Sequence, residues 1–111
     1  MIARRVPSFA PWPHGMDGAR EKPLGWTRAA LDQLDEQIEY VAAKELADPG
    51  RVAERIERAL DLIRAHPRIG TPGRRAGTRE WPVRGSPLTL IYRVERTRIL
   101  ILAVMHQRQA V

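Results

Sequence analysis

Between residues 78 and 108 the chain reads TREWPVRGSPLTLIYRVERTRILILAVMHQR, a stretch crowded with groups that could handle an anion. Arg79, Arg84, Arg93 and Arg108 carry guanidinium forks that fit phosphate or carboxylate through two parallel hydrogen bonds. His106 sits two residues before Arg108, and an imidazole can exchange protons near neutral pH. Arg74-Arg75 forms a basic tip in the Gly- and Pro-rich stretch just upstream. Each group has a plainer reading as well. A strand arginine can simply guard an edge against aggregation, and a strand-end histidine can bond the backbone. There is no Cys, and His14, His66 and His106 are not spaced as metal ligands, so neither a metal nor a disulfide is expected. His66, beside Pro67, suits a helix C-terminus, where a cation is favoured.

Charge is distributed unevenly. The net charge of the 111 residues is +6. Residues 66–111 hold nine Arg against Glu80 and Glu95, residues 30–65 hold nine acids against five bases, and residues 1–29 are mildly basic. The C-terminal half is therefore where an acidic partner or a polyanion should dock. A recognition helix for DNA needs basic residues, which argues against a helix-turn-helix reading of the acidic middle segment.

The elements that position these side chains follow from periodicity. Residues 1–15 are Pro-rich and aperiodic and read as a disordered arm or a mis-assigned start, with Met16 a plausible initiator. Leu24-Gly25-Trp26 is a short strand candidate ahead of Thr27, a good helix N-cap. Leu31, Leu34, Ile38 and Val41 make one helical stripe, ending near Ala47. Asp48-Pro49 restarts a helix whose stripe is Val52, Ile56, Ala59, Leu60 and Ile63, stopped by His66-Pro67 and Gly70. So tight a link makes the two helices antiparallel neighbours.

Residues 67–77 read as a loop and 79–84 as a strand that Pro82 demotes to an edge or bulge. In the next strand Leu88, Leu90, Tyr92 and Val94 alternate with Thr89, Ile91, Arg93 and Glu95, giving one core face and one open face. Residues 99–105 are apolar throughout, as a central strand should be. The class is α+β: a helical hairpin packed on a small, mainly antiparallel sheet of three to four strands, in the order β-α-α-β-β-β. Trp26 and Trp81 read as packing residues, and Tyr92 as core.

Residues 26–108 resemble the RelE/ParE family, the toxins of bacterial type II toxin–antitoxin modules. The resemblance rests on Trp26, Thr27, Ala30 and Leu34 in the helix opening, then IEYV, LIRAHPRIG, TREWPV, LIYRVE and ILILAVMHQR in that order and spacing. It implies a cytoplasmic growth-arrest toxin without cofactor or membrane anchor, held in a hetero-oligomer by a cognate antitoxin.

Two activities occur in such a family, mRNA cleavage on the ribosome and non-nuclease poisoning of DNA gyrase. Cleavage needs groups that activate the 2′-hydroxyl, stabilise the phosphorane and protonate the leaving oxygen. The matching positions here are Glu80, Pro82 and Thr89, and no Tyr follows Arg108. Arg79, Arg84, Arg93 and Arg108 are thus candidates for binding target or antitoxin in a gyrase poison. For the alternative endoribonuclease the candidates are Arg84, Arg93, His106 and Arg108.

Overall fold

The computed structural model describes residues 22–107, so the N-terminal arm, Met16 and Arg108 lie outside the described residues. In chain order the elements are β1 (Leu24–Trp26), α1 (Arg28–Glu45), α2 (Pro49–Ala65), β2 (Thr71–Pro72), β3 (Arg79–Pro82), β4 (Leu88–Val94) and β5 (Ile99–His106).

Local chemistry sets the helix ends. The Thr27 hydroxyl accepts from the Ala30 N–H at 3.0 Å and starts α1. The helix stops at Glu45, two residues sooner than expected, because Leu46 turns left-handed (φ 54°). That turn sends the Leu46 and Ala47 N–H groups back to the Ala43 and Ala42 carbonyls, closing the helix end in a Schellman arrangement. Asp48 then caps α2 by accepting from Gly50 N at 3.2 Å. On α1 the buried stripe is Ala30, Leu34, Ile38 and Val41, with Leu31 only half-buried, and on α2 every residue of the expected stripe is buried.

The sheet has five strands in the order β1-β5-β4-β3-β2. β1 runs parallel to β5, and the other pairs are antiparallel. The count exceeds the three to four expected because Thr71–Pro72 adds an edge strand inside the presumed loop. Two residues are too few to show alternation, and Pro72 can occupy an edge because it lacks an N–H to leave unpaired. β3 stops at Pro82, although Val83 N still donates to Leu88 O at 2.8 Å, and Arg84 belongs to the turn.

β5 is flanked on both sides and carries a bulge at Leu102, where pairing with β4 slips between Ile91↔Ala103 and Tyr92↔Ile101. The slip keeps Ile99, Ile101 and Val104 buried and leaves Leu102, Ala103 and Met105 half-buried. Beyond the end of β1, α1 serves the outer edge of β5. Thr27 donates from its N–H to Ile101 O and from its hydroxyl to Leu102 O, and the Gln33 side-chain Oε1 accepts from Val104 N at 2.9 Å.

Tyr92 is fully buried and ties the sheet to the loop after α2. Its hydroxyl donates to Pro67 O at 2.7 Å and accepts from Gly70 N at 2.9 Å. Burial raises its pKa, against the opposing pull of the Gly70 N–H and of Arg79, which keeps the phenol neutral and able to donate. Tyr92→Phe should therefore cost about 1–3 kcal/mol in urea unfolding by orphaning the loop's polar groups. Gly70→Ala should cost at least as much, because a Cβ there would lie 2.7 Å from the Tyr92 hydroxyl and 2.9 Å from the Glu80 carbonyl. Equal unfolding midpoints for the wild type and both variants would refute this account of the loop.

Candidate functional site

With both helices on one face of the sheet, the other face is left open. Thr89, Ile91 and Arg93 alternate with the buried Leu88, Leu90 and Tyr92 and so belong to that open face. Glu80 joins them through its pairing with Ile91. A concavity of about 410 Å³ is formed there. Ile91, Leu102, Ala103 and Met105 give it an apolar floor, with Thr89 at its side. Thr78, Glu80, Arg74 and Arg75 complete the wall.

The loop after β2 brings Arg74 and Arg75 over the sheet, and its backbone is pinned at several points. Gly73 N donates to Thr78 O at 2.8 Å, Thr78 Oγ1 donates to Arg75 O at 2.7 Å, and Glu80 accepts from Arg74 N at 3.3 Å. Both arginine side chains stay exposed.

The structure separates the candidate residues read from the sequence. Arg79 is a structural strut: its guanidinium donates to Gly70 O at 2.6 Å and Arg68 O at 3.3 Å, beside Tyr92. Arg84 is exposed in the β3–β4 turn, away from the concavity's lining. Arg55 props up that turn by donating to Gly85 O at 2.9 Å while pairing with Glu45 at 3.2 Å. His106 pairs with Leu88 and lies against α1, its ring edge-on to Tyr40 with centroids 5.8 Å apart. Arg93 is on the open face, so Arg93 and His106 occupy opposite sides of the sheet. Trp26 and Trp81 pack against the core.

Sequence reading did not group Ile91, Leu102 and Met105 with Arg74 and Arg75. The alternation in β4 marked Ile91 as outward-facing, but the bulge that turns Ala103 and Met105 outward has no sequence signature of its own.

At the β4–β5 turn, Glu95 takes Arg98 Nε at 2.8 Å and Arg93 Nε at 3.3 Å. The hydrogen bond from Arg98 is the main cause of a lowered Glu95 pKa; desolvation opposes it, and the weaker hydrogen bond from Arg93 adds to the lowering. A depressed carboxylate stabilises the fold above its unfolded pKa and loses that contribution as pH falls through the folded value.

A helical hairpin on one face of a mainly antiparallel sheet, with a cationic rim on the other face, is the α+β architecture that the RelE/ParE resemblance implies. Comparison with known proteins supports that class. The profile of the ParE toxin of type II toxin–antitoxin system, parDE, matches residues 24–111. Y4kP of Sinorhizobium fredii (strain NBRC 101917 / NGR234), named as a toxin, is 38% identical over 88 residues, 79% of this chain and 91% of that one. A chain of the chromosomal ParDE system from P. aeruginosa shares the fold with a TM-score of 0.59 at 21% identity, covering 78% of this chain and 96% of that chain. One from the RelBE2 toxin–antitoxin complex of Mycobacterium tuberculosis has a TM-score of 0.55 at 27% identity, covering 78% and 98%. The chain belongs to the ParE toxin family of type II toxin–antitoxin systems.

In an NMR titration the Glu95 carboxyl should have a midpoint below the usual glutamate range. Arg98→Met should raise it more than Arg93→Met, following the two distances. Equal shifts from the two variants, or none from either, would contradict this ranking.

Proposed function

We propose that this toxin acts as a ParE-like, non-nuclease poison of DNA gyrase and that a cognate antitoxin holds it inactive in a hetero-oligomer. The observation that carries the reading is the make-up of the open sheet face. A ribonuclease needs cations and a proton donor around the reacting phosphate; here Arg74 and Arg75 stand at the rim, but the face beneath them offers Glu80, Thr89, Ile91, Ala103 and Met105, with no imidazole in the lining. A carboxylate at that place repels RNA, and apolar side chains supply neither charge stabilisation nor proton transfer. His106, the one described imidazole near the sheet's end, lies on the helix side. Arg84 is in a turn outside the concavity.

Antitoxin binding draws support from the other side of the molecule. Tyr40, Leu46 and Leu62 on the hairpin are 50%, 94% and 44% exposed. Leu46 is both left-handed and almost fully in water, a combination that covering by a partner would offset.

When the chain is induced without an antitoxin, thymidine incorporation should fall before amino-acid incorporation does. Purified toxin should inhibit supercoiling by gyrase and leave ribosome-bound mRNA intact. Early collapse of translation with cut mRNA would overturn the reading in favour of the endoribonuclease.

A further inference from the structure

We infer that the concavity on the open sheet face is where this toxin grips its protein target, and that the occupant is an acidic, amphipathic segment of that target. Apolar side chains of the segment would rest on Ile91, Leu102 and Met105, with carboxylates beside Arg74, Arg75 and Arg93. The inference rests on the proposed reading only in taking the target to be a protein. It adds the face used and the chemistry of the bound segment.

Three observations point the same way. First, the floor is apolar and half-buried in the free chain, and no helix covers it. An apolar floor rimmed by polar groups is what a protein segment, not a solvated polyanion, would fill.

Second, the rim is cationic and available. Among the described residues no carboxylate pairs with the side chain of Arg74 or Arg75, and Glu80 bonds the Arg74 backbone N–H instead. Arg93, on the same face but outside the concavity's lining, meets Glu95 through Nε at 3.3 Å, and its Nη groups can turn to an incoming carboxylate. The rim therefore complements an acidic chain, and the Arg forks favour carboxylates over a diffuse field. Third, Glu80 stands in the wall between these arginines and the floor. It tells against a phosphate backbone running across the site, whereas a segment that places only its apolar side chains beside Glu80 avoids the repulsion.

The hairpin's exposed Tyr40, Leu46 and Leu62 lie outside the concavity's lining and offer separate apolar contacts to an antitoxin. Target and antitoxin can thus be told apart by which face a substitution disables.

The test uses the full chain with purified DNA gyrase as the probe, together with growth arrest on induction. Arg74→Glu/Arg75→Glu and Ile91→Glu should each weaken gyrase capture at least about tenfold and abolish growth arrest, with circular dichroism and unfolding midpoint unchanged. Arg51→Glu/Arg58→Glu, the same charge change as the double variant at two exposed positions of α2, should leave both readouts as in the wild type. If Ile91→Glu fails to fold, Ile91→Thr and Met105→Gln supply the same comparison at smaller perturbation.

Capture and growth arrest that survive in the open-face variants overturn the inference. So does wild-type binding to single-stranded RNA or duplex DNA that the same variants abolish, because the face would then be a nucleic-acid surface. If wild-type toxin ignores gyrase yet the open-face variants alone lose growth arrest, the docking face stands and the gyrase reading fails.

Discussion

The central strand β5 has to satisfy two edges and pack on two faces at once, and most of the molecule is arranged around that requirement. β4 takes one edge along its whole length, whereas β1 covers only Ile99 to Ile101 on the other. The remaining backbone groups would be left in a partly buried position, at a cost comparable to a lost hydrogen bond each. α1 removes the problem because it begins where β1 ends: Thr27 and Gln33 serve the Ile101 and Leu102 carbonyls and the Val104 N–H. One residue type at one position, a threonine that both caps a helix and closes a sheet edge, thus fixes how the hairpin lies across the sheet.

The bulge at Leu102 is the companion of that arrangement. Without it the alternation set by Ile99 and Ile101 would carry Ala103 and Met105 toward the helices and Val104 outward. With it the core gains Val104, and Ala103 and Met105 join Leu102 on the open face. The concavity is therefore a by-product of fitting β5 beneath α1, and its apolar character is built into the strand pairing.

A second anchor sets the height of the wall. Tyr92 and Arg79 hold the chain between α2 and β2 through its carbonyls and the Gly70 N–H. The loop that follows is then obliged to return over the sheet to reach β3, bringing Arg74 and Arg75 above Ile91. These two residues carry no support from the core, yet their placement depends on a buried phenol in the next strand but one. Arg79, conspicuous in the sequence as a possible ligand for an anion, is occupied in that scaffolding.

Read by itself, the chain determined the two helices, their N-caps, the β4 alternation, the burial of Tyr92 and the order of the elements. These features arise from contacts within a few residues and from periodicities that a linear sequence displays. It also carried the family resemblance, since that depends on the order and spacing of short motifs. Only the tertiary structure decided the fifth strand, the bulge, and which arginines stand together. Thr71–Pro72 becomes a strand because β3 lies beside it. Ala103 and Met105 turn outward because the bulge at Leu102 shifts the register of β5 against β4. Arg93 and His106 are separated because a pleated strand and a bulge send them to opposite faces, a matter of register between partners that neither strand's own residues express.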